Sequence, residues 1–334
     1  MKGLVPEQGF HGLLQRPCNV YNIAEQFQEV QLSRKSDAGE RTALRVVTFN
    51  VMMDTWRGKP YVTEVGCHEE RYAFVVEKLR EMDADVVMLN EVTVGFLRCM
   101  CSLTSYRASS SPDHENGGPN INASGMGNLI LVHRRLSLRR MFSVPLPRVD
   151  RLAVGAEIEW SGGRSLTLVS AHLSALTGNV ERRAAQLAAL AAAVGSCERV
   201  VIAGDLNWHV RAEEQYAPAG FKVAGFAEIT FDGLVNTMHQ HLWPLGFEAR
   251  QMALDRFLVG SAVTARNVQV IFNRPIHEEV AVQPRQPAGF WDAVLQVPLR
   301  TLEQVGLVGP GEREAYLFPS DHFGLMCEIE MPHD

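Results

Sequence analysis

Residues 200–207 read VVIAGDLN, an apolar run that stops abruptly on Asp205 and Asn207. A buried parallel or mixed sheet is built from continuous apolar runs of this length. Four more runs have the same form: Leu44 to Phe49 delivers Asn50, Val86 to Leu89 delivers Asn90 and Glu91, Leu166 to Ala171 delivers His172, and Tyr316 to Ser320 delivers Asp321 and His322. Each ends in a side chain able to bind a metal, a phosphate or a proton. Ligands of such sheets gather where strands end, so the five polar ends are expected to converge on one site. Singly, an Asn or Asp after a strand is a turn former; the weight lies in the repetition.

Working outward, Tyr72, Val75, Val76, Leu79 and Met82 recur at helical spacing within 69–82. An alanine-rich helix is predicted over 181–194, stopped by Gly195. Strands alternating with amphipathic helices predict an α/β domain over 44–334, preceded by an arm, 1–43. Ser109 to Gly125 is rich in turn residues, and Gln283 to Gly311 carries many Pro and Gly around Phe290 and Trp291; both read as flaps or insertions beside a site.

With 334 residues, 46% of them hydrophobic, the chain can bury a substantial core. A net charge of -6 argues against a protein that coats nucleic acid by bulk electrostatics, although a local basic groove is compatible with it. The six cysteines have no C-x-x-C spacing and read as reduced, buried thiols. The tripeptide Asn122-Ala123-Ser124 matches a glycosylation sequon but carries meaning only in a secreted chain. No signal-like leader and no run of eighteen apolar residues is visible. A soluble intracellular protein is therefore expected, in nucleus or cytoplasm, with no membrane partner.

The residue types suggest hydrolysis at phosphorus. A phosphodiester is anionic, so its hydrolysis needs positive charge, an aligned water and a stabilised leaving oxygen. Magnesium takes hard oxygen ligands, which makes Glu91 the natural first ligand, with Asn50 and Asp321 beside it. Asp205 is placed to orient or deprotonate water, Asn207 to hold that water and a phosphate oxygen, and His172 and His322 to face the developing charge. Asp255, in the stretch ALDRFLVG, is expected to orient His322, the alternative being a surface pair with Arg256.

Thr48-Phe49-Asn50, Leu89-Asn90-Glu91, Ser170-Ala171-His172, Gly204-Asp205-Leu206-Asn207, Leu254-Asp255-Arg256 and Pro319-Ser320-Asp321-His322, in this order, resemble the motifs of the endonuclease/exonuclease/phosphatase superfamily. The resemblance implies a four-layer α/β/β/α sandwich of two packed mixed sheets flanked by helices. It implies metal ligation by Asn50, Glu91 and Asp321 with Mg2+, or Mn2+ in its place, water activation by Asp205 with Asn207, and an Asp255–His322 pair. Asn90 stands where the family usually has Gln.

Three stretches are similar, more narrowly, to the type 2 tyrosyl-DNA phosphodiesterase branch: AHLSALTGNVERRAAQL at 171–187, Thr230-Phe231-Asp232, and LFPSDHFGLMCEIEM at 317–331. This likeness implies removal of tyrosyl adducts from 5′ DNA ends by a monomeric enzyme. The alternatives are a poly(A)-shortening deadenylase, then abasic-site or small phosphate-ester hydrolysis, and, outside enzymes, an inactive scaffold.

Trp56, Arg183 and Asn128 complete the candidate set as substrate-binding residues. Met52, Met53 and Trp56 follow Asn50 and suit a stacking groove or core packing equally. Arg183, with Gln186 on the same helical face, suits phosphate binding or a brace between helix and sheet, the brace being favoured. Asn128 suits the site or a strand-edge turn. His209, His239 and His241 lack a carboxylate at ligand spacing and read as loop histidines.

Overall fold

The computed structural model describes residues 16–17, 21–22, 28–29, 43–53, 68–110, 125–149, 151–160, 163–195, 198–209, 211–224, 228–236, 238, 251–277 and 317–331. Trp56, His239, His241, the stretch 111–124 and the stretch 283–311 lie outside these residues.

In chain order the strands are β1 (Arg16–Pro17), β2 (Tyr21–Asn22), β3 (Gln28–Glu29), β4 (Ala43–Asn50), β5 (Val86–Val92), β6 (Tyr106–Ser110), β7 (Gly127–His133), β8 (Ser137–Pro145) and β9 (Leu152–Glu159). They continue as β10 (Ser165–Ser170), β11 (Val200–Asp205), β12 (Phe221–Ala224), β13 (Phe231–Asp232), β14 (Gln251–Met252), β15 (Asp255–Gly260), β16 (Thr264–Ile271) and β17 (Gly324–Glu330). The α-helices are α1 (His68–Met82), α2 (Val94–Cys99) and α3 (Val180–Val194). One sheet has the order β1-β8-β9-β10-β11-β15-β12, the other β16-β17-β4-β5-β7-β6-β2-β3, and β13 pairs with β14 apart from them.

Each large sheet contains one parallel pair, β10–β11 in the first and β4–β5 in the second. A parallel pair needs a crossover, and α3 and α1 supply them. Helix α1 turns Tyr72, Val75, Val76 and Leu79 inward, starts on Glu69 and Glu70 and carries Arg80 in its last turn, a charge order that suits the helix dipole. Helix α3 buries Leu187, Leu190 and Ala193 and ends at Gly195, whose φ of 72° suits a glycine stop.

Because successive strand residues face opposite sides, each strand contributes to two cores. Val46, Val86 and Met88 of one sheet meet Leu166, Leu168, Val201, Ala203 and Phe257 of the other between the sheets. Val47, Phe49, Val87 and Leu89 pack under α1 and α2, and Val169, Val200, Ile202 and Leu258 under α3. Three cores between four layers make the α/β/β/α sandwich that the sequence implied.

Two expectations are corrected. Leu317 to Ser320 is irregular, so Asp321 and His322 enter the site at the beginning of β17 rather than at the end of a strand. Ser109 and Ser110 finish β6 instead of opening a loop. Of the described cysteines Cys327 is buried, but Cys99 and Cys101 are half-buried. Among the described residues no helix is long and apolar enough to cross a membrane.

One glycine is required where β11 presses on the chain after β10 and on Asn90 of the other sheet. Gly204 has φ of 145°, and a Cβ there would lie 1.9 Å from the Ala171 carbonyl oxygen and 2.9 Å from Asn90 Oδ1. Gly204→Ala is expected to cost about 2–5 kcal/mol of stability, combining overpacking with an unfavourable φ; urea unfolding measures it, and an unchanged midpoint would contradict the tight fit.

Candidate active site

The same period-two alternation that sends Val46, Met88, Ile130, Leu168, Ala203 and Phe257 into the inter-sheet core carries Asn50, Asn90, Asn128, Ser170, Asp205 and Asp255 into it at one end. The mouth of the sandwich is thus lined by polar residues of six strands, all of them buried. Four sit at or near the ends of β4, β5, β10 and β11, where apolar runs stop. Asn128 and Asp255 sit at the beginnings of β7 and β15, which run antiparallel to β5 and β11.

Glu91 joins them through a bulge. The β5–β7 register slips between Leu89 and Val92, and Glu91 takes φ of 57°. A regular strand would turn Asn90 and Glu91 to opposite faces; the extra residue of a bulge lets both serve one site. Asn90 Oδ1 accepts from the Asp205 backbone N–H at 2.9 Å, while its Nδ2 donates to Asn128 Oδ1 at 2.8 Å. Asn90 therefore pins the end of β11 across the gap between sheets. Asn128 is committed to Asn90 and, through Nδ2, to the Leu152 carbonyl at 2.8 Å, so it supports the site instead of lining it for substrate.

Asn50 Nδ2 lies 3.0 Å from Glu91 Oε1 and 3.1 Å from Asp205 Oδ2. Its Oδ1 accepts from Met52 N–H at 3.0 Å. An amide nitrogen has no lone pair to offer a cation, so in this orientation the Asn50 amide clamps the two carboxylates together. Glu91 Oε2 accepts from Met53 N–H at 3.2 Å. Asp205 Oδ1 accepts from Asn207 N–H at 2.9 Å, and Asn207 Nδ2 donates to the Leu173 carbonyl at 3.1 Å.

The two histidines differ in charge. His322 Nδ1 is 2.9 Å from Asp255 Oδ2, and its Nε2 is 3.7 Å from Asp205 Oδ2. Burial alone would lower its pKa, but Asp255, Asp205 and Asp321 together hold it well above the usual imidazole value. His172, with Nε2 3.5 Å from Asp205 Oδ2, is held well below it by burial and by the Arg151 and His322 charges. One imidazole is thus a fixed cation and the other neutral near pH 7.

Both carboxylates are strained by charge. Burial, then Asp321, raises Glu91. Burial, opposed by His322 but helped by Asp255 and Glu91, pushes Asp205 up to about 7. Excess buried negative charge with converging ligand atoms is the chemistry of a cation site. Glu91, His172 and Asp205 offer ligand atoms within 4.8 Å of one another. Asp321, half-buried with Oδ1 3.2 Å from Ser320 Oγ, acts on Glu91 and His322 by its charge but is not part of that cluster. The residues present fit a divalent ion, with Glu91 common to this group and to the expected Asn50, Glu91 and Asp321.

Two further residues change standing. Arg183 is 1% exposed and spent: Nε is 2.8 Å from Glu213 Oε2 and Nη1 donates to the Ser174 and Leu176 carbonyls at 2.9 and 2.7 Å. It braces the chain after His172 to the chain after Asp205. Gln186 supports the same turn, accepting from Ser174 N–H at 3.0 Å. Arg151 was missed. It donates to the Leu173 carbonyl at 3.1 Å, and its charge acts on Glu91, Asp205 and His172. It stands just before β9, antiparallel to β10, so the signal was a basic residue opening an apolar run.

A family pattern described as endonuclease/exonuclease/phosphatase matches residues 47–322. Among solved structures, D. rerio TDP2 complexed with single-strand DNA product is 18% identical, covers 87% of this chain and 100% of its own, and has a TM-score of 0.58. Truncated Caenorhabditis elegans TDP2 is 19% identical over 87% of this chain and 98% of its own, with a TM-score of 0.57. The human Nocturnin catalytic domain with bound sulfate is 16% identical over 88% and 95%, with a TM-score of 0.56. At these identities the likeness shows the fold. No curated protein matches the chain in sequence.

Proposed function

The chain belongs to the endonuclease/exonuclease/phosphatase family, and from that premise we propose that it is a divalent-metal-dependent phosphodiesterase that releases tyrosine from 5′ DNA ends. The observation that carries the narrower reading is where its three signature stretches meet. Thr230 Oγ1 accepts from Asp255 N–H at 3.0 Å, the Phe231 ring meets the edge of His322 at 5.7 Å, and Thr230 O accepts from Phe323 N–H at 2.6 Å. The stretch 171–187 brings His172 to Asp205. The segments resembling that branch are therefore the wall of the site itself.

In this reading Asp205, facing both His172 and His322, takes a proton from a water whose oxygen attacks phosphorus. The phosphorus–oxygen bond to tyrosine breaks, leaving a 5′-phosphate and a phenolate that takes a proton from solvent. His322, held charged by Asp255, and Arg151 stabilise charge on the phosphoryl oxygens. Neutral His172 donates or accepts one hydrogen bond there. A divalent ion held by Glu91 would supply further positive charge for the phosphoryl and leaving oxygens. Carboxylate oxygens suit magnesium, and manganese also accepts the nearby imidazole.

The test is to incubate the protein with Mg2+ and, separately, a 5′-phosphotyrosyl oligonucleotide, a poly(A) strand and an abasic duplex. The expected result is release of tyrosine from the first, faster than cleavage of the others and abolished by a chelator. Cleavage of poly(A) alone would assign the chain to the deadenylase reading instead. Inactivity towards all three would favour a scaffold.

A further inference from the structure

Behind the carboxylates, on the helix side, lies a fully buried guanidinium. Arg71 of α1 is 0% exposed. Its Nη1 donates to the carbonyls of Val51 at 3.2 Å and Pro319 at 2.9 Å, and its Nη2 to the carbonyl of Met52 at 3.3 Å. Tyr72 Oη donates to the same Met52 carbonyl at 3.3 Å. The three carbonyls belong to two loops distant in sequence, one following Asn50 and one preceding His322.

The far sides of those peptide units are what matters. In a trans peptide the C=O and N–H point in opposite directions within one rigid plane. The Val51 carbonyl shares its peptide with Met52 N–H, which donates to Asn50 Oδ1 at 3.0 Å. The Met52 carbonyl shares its peptide with Met53 N–H, which donates to Glu91 Oε2 at 3.2 Å. Arg71 thus grips two peptides by their oxygens while their N–H groups orient Asn50 and Glu91. Hydrogen bonds in series polarise one another, so the buried positive charge strengthens both donors. Met52 itself takes φ of 56°, a left-handed conformation that an L side chain adopts only when surroundings hold it there.

The second loop is tied to the first at the same point. Past Pro319, Ser320 Oγ donates to the Asn50 carbonyl at 2.7 Å and accepts from His322 N–H at 3.2 Å. We infer that Arg71 is a positioning residue which, through the Val51–Met52 and Met52–Met53 peptides, sets the cation affinity of the site without touching cation or substrate. The inference rests on the reading that Glu91 faces a bound divalent ion.

The experiment titrates the full chain with Mn2+, following free ion by electron paramagnetic resonance, and separately measures the Mg2+ dependence of turnover. Arg71→Met is expected to raise the Mn2+ midpoint about 10- to 100-fold, the range for groups that orient ligands from behind. The Mg2+ needed for half-maximal turnover rises in parallel, while kcat at saturating Mg2+ largely recovers. Arg71→Lys keeps the charge but loses the planar fork and should fall between; it decides the matter if Arg71→Met does not fold. Arg183→Lys, which weakens the brace between the other pair of loops, should leave the Mn2+ midpoint in place. Folded Arg71 variants with the parental midpoint would overturn the inference alone. A parent chain that binds no Mn2+ would overturn the reading of the site and the inference with it.

Discussion

Asp205→Asn is expected to lower kcat by about 10²- to 10⁴-fold, the range of a lost general base, and to make the metal-free protein more stable. The activity loss follows because an amide cannot take a proton from water, while its size and position are kept. The gain in stability follows from linkage. Asp205 sits near pKa 7 in the folded chain against about 3.9 in an unfolded one. Between those values the unfolded state releases its proton first, so metal-free stability falls as pH rises through that window. The hydrogen bond from Asn50 is already at work in the folded value, and burial with neighbouring charge still outweighs it. Melting curves in chelator from pH 4 to 7.5 should show the Asp205→Asn variant overtaking the parent as pH rises. A variant that stays below the parent at every pH would contradict the charge assignment, and one with parental kcat would remove Asp205 from the chemistry.

Asp255→Asn should cost a similar factor in rate, about 10²- to 10⁴-fold, by releasing the charge and orientation of His322. The carboxylate contacts Nδ1 at 2.9 Å and lies fully buried on β15. An amide there loses the ion pair and leaves His322 with weaker cause to stay protonated in a buried site. The pH dependence has a definite sign. His322 is raised in the folded state, so its stabilising contribution is complete below the unfolded value of about 6.5 and is lost as pH rises through the higher folded value. The parent should therefore lose stability towards alkaline pH, and Asp255→Asn should lose less over the same interval. Nuclear magnetic resonance of the His322 ring, titrated in chelator, checks the cause directly. A ring that titrates at the same pH in both proteins would sink the pairing as the source of its charge.

Much of this molecule was legible before folding was considered. Apolar runs ending on Asn50, Glu91, His172 and Asp205 and helical spacing in 69–82 and 181–194 required buried strands with crossovers. Residue types alone pointed to phosphoester chemistry. The run before Asp321 misled because aromatic and apolar residues also fill irregular chain packed against a core, and Leu317 and Phe318 are buried without forming a strand. Arg151 was overlooked for a geometric reason. In a mixed sheet the mouth of the site collects the ends of some strands and the beginnings of their antiparallel neighbours, so a polar residue that opens an apolar run can belong to it as well as one that closes a run.

What the sequence by itself determined is local: period-two and helical patterns, hence strands and helices, and the inventory of acids, amides and imidazoles. Only the tertiary structure decided which of them meet and in what ionic state. His172 and His322 are the same residue type, yet one is neutral and the other charged, because pKa depends on burial and on charges brought from β11, β15 and the turn before β17. Only packing makes Arg71 a buried brace, since its carbonyl partners lie in two loops distant in sequence. The Asn50 amide turned its nitrogen to two carboxylates for the same reason. These are long-range electrostatic and steric facts, set by distances between residues far apart in the chain.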